Sequence, residues 1–175
     1  MKNLLILSFF TLSLIACNSS TSNDSSAQAE NIIKEITALE TEYGTNPGQA
    51  ITKIGPLLAK YEEYAALPET DEKLKVDYLL RAGEMASLIN QYDRSLGYYD
   101  RILTDFPSSP KAATALFMKG YTLDDKLKKL EEAKTIYETF LQKYPNDEFA
   151  DDAKFLLDNL GKSEEEIIKQ FEANK

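Results

Sequence analysis

The chain repeats itself, and that limits its fold more than any other feature. Residues 98–117, YYDRILTDFPSSPKAATALF, superpose on residues 136–155, IYETFLQKYPNDEFADDAKF, with a shift of 38 residues. Tyr99 falls on Tyr137, Leu103 on Leu141, Phe106 on Tyr144 and Pro107 on Pro145. Beyond the prolines, Ala112 falls on Ala150, Ala115 on Ala153 and Phe117 on Phe155. A period of this length marks an array of small units, none of which can bury its apolar face alone. The fold must therefore be a stack in which each unit covers its neighbour.

The unit is helical. From Asn31 onward no segment alternates as a strand would, and apolar residues recur at helical spacing. Ile32, Ile33, Ile36, Leu39 and Tyr43 form one stripe; Ile51, Ile54, Leu57, Leu58, Tyr61 and Tyr64 form another, which Pro56 should kink or begin. Breakers punctuate the chain at 44–48 (GTNPG), 67–72 (LPETDE), 106–110 (FPSSP), 144–148 (YPNDE) and Gly161. About eight short helices are expected, arranged as hairpins in a row.

One hairpin carries Leu79-x2-Ala82-Gly83-x2-Ala86, then Ser95-x3-Tyr99, then Pro107; the next carries Leu116-x2-Lys119-Gly120-x2-Leu123, then Ala133-x3-Tyr137, then Pro145. These residues resemble the tetratricopeptide repeat, W-x2-L-G-x2-Y, A-x3-F and P over ~34 residues. Trp is replaced by Leu, and Lys119 stands where Leu is usual. Glycine to proline is 24 residues in the first unit and 25 in the second, so the second holds one extra residue near LDDKLKK. The spelling of the repeat is similar to that of outer-membrane assembly lipoproteins and of the TolA-binding periplasmic protein type.

The resemblance implies an all-α fold, a right-handed superhelix of helical hairpins. The clearest repeats span about 73–107 and 110–146, a degenerate one about 31–70, and closing helices about 147–173, within a repeat domain of 31–175. Gly83 and Gly120 let the second helix of each pair approach, Ser95 and Ala133 are the small partners on that helix, and Tyr99 and Tyr137 fill space between successive pairs. Pro107 and Pro145 stop the second helix. In such proteins the first helix of each pair lines a concave groove for peptides. Carried over, the groove presents Asp77, Leu80, Arg81, Glu84 and Ser87, then Thr114, Phe117, Met118 and Tyr121. The second set is apolar and aromatic, as an anchor site would be, although Phe117 and Met118 could equally pack between hairpins.

Composition removes most chemistry. There is no histidine and one cysteine, so neither a Cys/His zinc site nor a Ser–His–Asp or Cys–His nucleophile can be assembled. A formal charge of −9 opposes nucleic acid and anionic lipid. The acidic clusters Asp71-Glu72, Asp124-Asp125, Asp151-Asp152 and Glu164-Glu165-Glu166 read as helix-start or solvated residues. No enzyme activity, cofactor or metal is expected.

The single cysteine has its own context. Lys2 is followed by an apolar run from Leu4 to Ala16, too short to span a membrane comfortably, for which ~20 residues are needed. Leu14-Ile15-Ala16-Cys17 resembles a bacterial lipobox, which implies a signal peptide over 1–16 and acyl chains, palmitate among them, on Cys17. The alternative is an ordinary secretory signal, or an uncleaved anchor, with a chance cysteine. The polar stretch Asn18–Glu30 reads as a flexible tether, giving a lipidated and Ser-rich segment over 17–30. Asn18, in place of the retention Asp, favours the outer membrane, facing the periplasm.

These readings make the chain a lipid-anchored interaction module of the bacterial cell envelope. Its partner is another envelope protein or a peptide segment of one, and no nucleic acid is involved. The alternative is a small-ligand or glycan-binding lipoprotein, against which the absence of Trp counts.

Overall fold

A computed structural model describes residues 21–45, 50–68 and 70–173; residues 1–16, expected to be a signal peptide, and Cys17 lie outside the described residues. Among these, the regular structure is helical without a strand. The elements are α1 (Thr21–Thr45), α2 (Ala50–Ala66), α3 (Glu72–Leu88), α4 (Tyr92–Asp105), α5 (Ala112–Tyr121) continued by a π turn (Thr122–Lys126), α6 (Leu130–Lys143), α7 (Ala150–Asp158) and α8 (Glu164–Ala173). Each helix from α1 to α6 packs on the next, so the chain is the all-α array of hairpins expected. No described helix is long and apolar enough to cross a membrane.

Glycine and tyrosine set the separation inside each repeat. A Cβ built on Gly83 would lie 2.4 Å from Cε1 of Tyr99, and one on Gly120 would lie 2.8 Å from Cε1 of Tyr137. Both rings are fully buried. The tyrosine thus lies against the glycine of its own pair, and shares a buried cluster with the first helix of the next pair. Ser95 Oγ donates to the Gly83 carbonyl at 2.7 Å, locking α3 to α4, and Ala133 occupies the same buried place on α6.

The helix ends repeat as closely. Phe106 and Tyr144 have φ/ψ of −132/50 and −131/53, and their N–H groups donate to the Ile102 and Phe140 carbonyls at 3.0 and 2.8 Å. Pro107 and Pro145 follow directly and have no N–H with which to continue. The described turns that follow α3, the π turn and α7 each hold one residue of positive φ: Asn90 at 59°, Lys128 at 54° and Gly161 at 76°. Asn90 and Lys128 are one 38-residue shift apart. The extra residue of the second hairpin lies before Lys128, in the π turn, where Leu127 N–H reaches the Thr122 carbonyl at 3.1 Å.

Two carboxylates fasten the first hairpin to the second. Glu40 of α1 accepts from the Tyr61 hydroxyl at 2.7 Å and pairs with Arg81 of α3. Glu62 of α2 accepts from Tyr98 and from Arg94 Nη2, the latter at 3.1 Å. Partial burial opposes the ionised form of Glu62, yet the Tyr98 and Arg94 hydrogen bonds hold its carboxyl below the usual range.

Several expectations are corrected. Residues Thr21–Glu30, assigned to the tether, are helical and belong to α1, with Ala29 buried. Ala29, Ile32 and Ile36 recur at spacings of three and four, so the stripe of α1 reaches further back than its polar composition suggested. Ile51 is exposed although it sits in the α2 stripe, and Pro56 lies inside α2, which begins at Ala50. Asp71 caps α3 by accepting from Leu74 N–H at 3.0 Å, and Asp151, Asp152 and Glu164–Glu166 lie in first turns. Asp124 and Asp125 do not open an α-helix; they lie in the π turn.

The two repeat tyrosines differ at their hydroxyls. Tyr137 reaches Asp124 Oδ2 at 3.5 Å, whereas the Tyr99 hydroxyl is buried with no hydrogen-bond partner, and burial pushes its phenol up to about 12. An unpartnered buried hydroxyl costs roughly 1–3 kcal/mol. Tyr99→Phe should therefore be neutral or stabilising in urea denaturation, while Tyr137→Phe should cost up to about 1 kcal/mol. A clear loss of stability in Tyr99→Phe would show a partner for that hydroxyl.

Candidate functional site

The site is built on the first helices of successive hairpins. Phe117 on α5 stacks on Phe149 at 4.6 Å between ring centres and lies edge-on to Phe140 at 5.9 Å. This buried ring forms a floor. Met118, the next residue, and Tyr121, one helical turn along α5, border it, and Asp152, Phe155 and Leu156 of α7 complete the lining. Together they enclose an open cavity of about 330 Å³ whose walls are almost wholly apolar.

Two details give the cavity its chemistry. Lys126 Nζ lies 5.8 Å from the centre of the Tyr121 ring and pairs with Asp125 at 2.6 Å, so this cation is already engaged. Partial burial, then the charge of Asp125, raises the Tyr121 phenol, which stays protonated and able to donate. Asp152 is the one charged residue lining the cavity, and it has no ion-pair or hydrogen-bond partner among the described residues. An apolar side chain fits within, and a donor or cation beside it would meet Asp152.

The nine groove residues expected from the sequence do not form one surface. Phe117, Met118 and Tyr121 are brought together. Leu80 is buried in the core, and Arg81 is committed to Glu40. Asp77 lines a separate cavity of about 380 Å³ between the start of α3 and the α4–α5 turn, with Val76, Ser109 and Lys111. Glu84 is exposed, and Ser87 and Thr114 are half-buried; none of these three lines the α5–α7 cavity.

The α7 wall escaped the sequence reading, although its signal was present. The 38-residue shift carries Thr114, Phe117 and Met118 onto Asp152, Phe155 and Leu156. One more application of the repeat identifies the missing side. Nothing comparable points to Glu40, whose partner Arg81 is 41 residues away in a hairpin of different spelling.

The comparison with known families agrees with this geometry. Residues 77–109 and 114–147 match the tetratricopeptide repeat. The first stretch covers most of α3 and all of α4; the second runs through α5, the π turn and α6 into the following turn. No curated protein and no solved structure matches the chain.

Proposed function

We propose that these two tetratricopeptide repeats make the chain a lipid-anchored adaptor of the cell envelope, which holds a segment of another envelope protein in the α5–α7 cavity. The carrying observation is the cavity itself. Aromatic walls stand on a buried aromatic floor, so an incoming anchor side chain loses water without having to order its site. A protein assembled this way works by binding, and no catalytic step is assigned to it.

The anchor rests on Leu14-Ile15-Ala16-Cys17. Two or more acyl chains on Cys17 hold stably, whereas one chain gives marginal attachment. Asn18 directs the protein to the outer membrane, with the repeats facing the periplasm.

A photoreactive amino acid at Met118 tests the cavity in living cells. It should trap one discrete envelope protein, and Tyr121→Ala should lower the yield about tenfold, the equivalent of ~1.4 kcal/mol. Cys17→Ala should move the protein out of the membrane fraction with its helical circular dichroism intact. If only lipid and abundant bystanders are trapped, while a saccharide raises Tm, the adaptor reading is lost to ligand binding.

A further inference from the structure

Leu80, Phe117 and Phe155 occupy one repeat position on three successive first helices. Leu80 is 7% exposed and lies in the cluster that Ala115 and Met118 of α5 join. Phe117 is 8% exposed and covered by Phe149 of the next hairpin. Phe155 is 43% exposed, and the ring that faces it is Phe171 of α8, at 6.2 Å. A side chain buried twice along the array by the following hairpin is left open the third time.

The opening continues onto α8. Ile168 and Phe171, three residues apart and so on one helical face, are 56% and 57% exposed, and α8 buries none of its residues. Terminal repeats of solenoids ordinarily have a polar outer face; the exposed face of Phe155, Ile168 and Phe171 has instead the apolar character of a surface between repeats.

Charge selects the occupant. The lysines here are spent within the chain: Lys154 on Asp158 at 2.8 Å, Lys169 on Glu165 at 2.8 Å, and Lys162 on the Asp158 carbonyl and Gln170. Asp151, Asp152 and Glu164 have no ion pair among the described residues. A second copy would bring the same carboxylates against these on a chain of net charge −9, and an anionic lipid surface would be repelled likewise.

We propose that the edge formed by Phe155, Ile168 and Phe171 binds an amphipathic helix of a partner protein. That helix seats where the first helix of a further hairpin would lie, and its Lys or Arg residues flank its apolar face. Apolar side chains spaced three and four apart pack over the exposed faces of Phe155, Ile168 and Phe171, and the basic flanks meet Asp151 and Glu164. The edge is independent of the lipid anchor and shares Phe155 with the α5–α7 cavity, but Ile168 and Phe171 do not line that cavity, so substitutions at these two residues test the edge separately.

Fluorescence anisotropy on the full-length chain in phosphatidylcholine nanodiscs tests it. Two labelled amphipathic helices of ~18 residues share one Leu/Phe face, and one carries Lys and the other Glu on its polar face. The Lys peptide should bind, the Glu peptide at least ~10-fold more weakly, and the difference should shrink in Asp151→Asn/Glu164→Gln. Ile168→Ser/Phe171→Ser should weaken the Lys peptide at least ~10-fold, while Ile168→Leu/Phe171→Leu should retain it. No saturable binding above empty nanodiscs, equal binding of both peptides, or binding untouched by the serine pair overturns the proposal. So does a dimer in light scattering that the serine pair converts to monomer, since a second copy then holds the edge.

Discussion

Gly83→Leu should lower stability by at least about 3 kcal/mol, the upper end of overpacking costs, and lower Tm by roughly 10 °C in a chain of this size. A single added methyl carbon would already lie 2.4 and 2.7 Å from Cε1 and Cζ of Tyr99. The ring has nowhere to retreat, being fully buried, and the Ser95 hydrogen bond to the Gly83 carbonyl resists any widening between α3 and α4. The gain in helix propensity on replacing glycine, about 1 kcal/mol, offsets only part of this. Gly120→Leu should behave similarly, with Tyr137 at 2.8 Å and Ile136 Cγ2 at 3.1 Å as the obstacles. Gly97, inside α4, meets nothing within 4 Å, so Gly97→Ala should stabilise by about 0.5–1 kcal/mol. Urea midpoints for the three variants decide the matter. A neutral Gly83→Leu would refute the account of how the repeat is held together.

Phe117→Ala should cost about 3–5 kcal/mol. Its ring touches Phe149 at the start of α7, Phe140 and Tyr137 on α6, so truncation leaves a void where three helices meet. Tyr121→Ala, four residues further along the same stretch of helix, removes a half-buried ring and should cost under about 1 kcal/mol of stability. Its effect should appear in partner capture instead. Denaturation and crosslinking measured on the same two variants separate the floor of the cavity from its wall. Equal loss of stability in both would make the whole cavity part of the core.

That pair also shows what was legible in the sequence. Hairpins are legible because their constraints are local: a glycine needs a ring beside it within one pair, and a proline ends a helix where it stands. The groove is less so. At positions such as Leu80 and Phe117 the stripe facing a ligand and the stripe facing the next hairpin overlap, and only the stacked structure decides which residues are covered. Arg81 reads as a groove cation until Glu40 claims it from α1. Residues 21–30 read as a tether because Ser, Asn and Asp dominate them, yet Ala29 continues the buried stripe of Ile32 and Ile36 and carries the helix backward. Composition averages over a segment, whereas packing acts on every third or fourth residue.

The π turn after α5 has a consequence for the array as a whole. Each residue added to an α-helix rotates everything beyond it by about 100°. An insertion left in α5 would therefore have swung the later hairpins around the axis of the stack. Here the surplus is absorbed between Thr122 and Lys126: Gly83 to Gly120 is a shift of 37 residues, and from Lys128 onward the shift from the previous hairpin is 38. Phe155 and Leu156 consequently still face Met118 and Tyr121, so the cavity is insulated from a change of length within the very hairpin that supplies half of it.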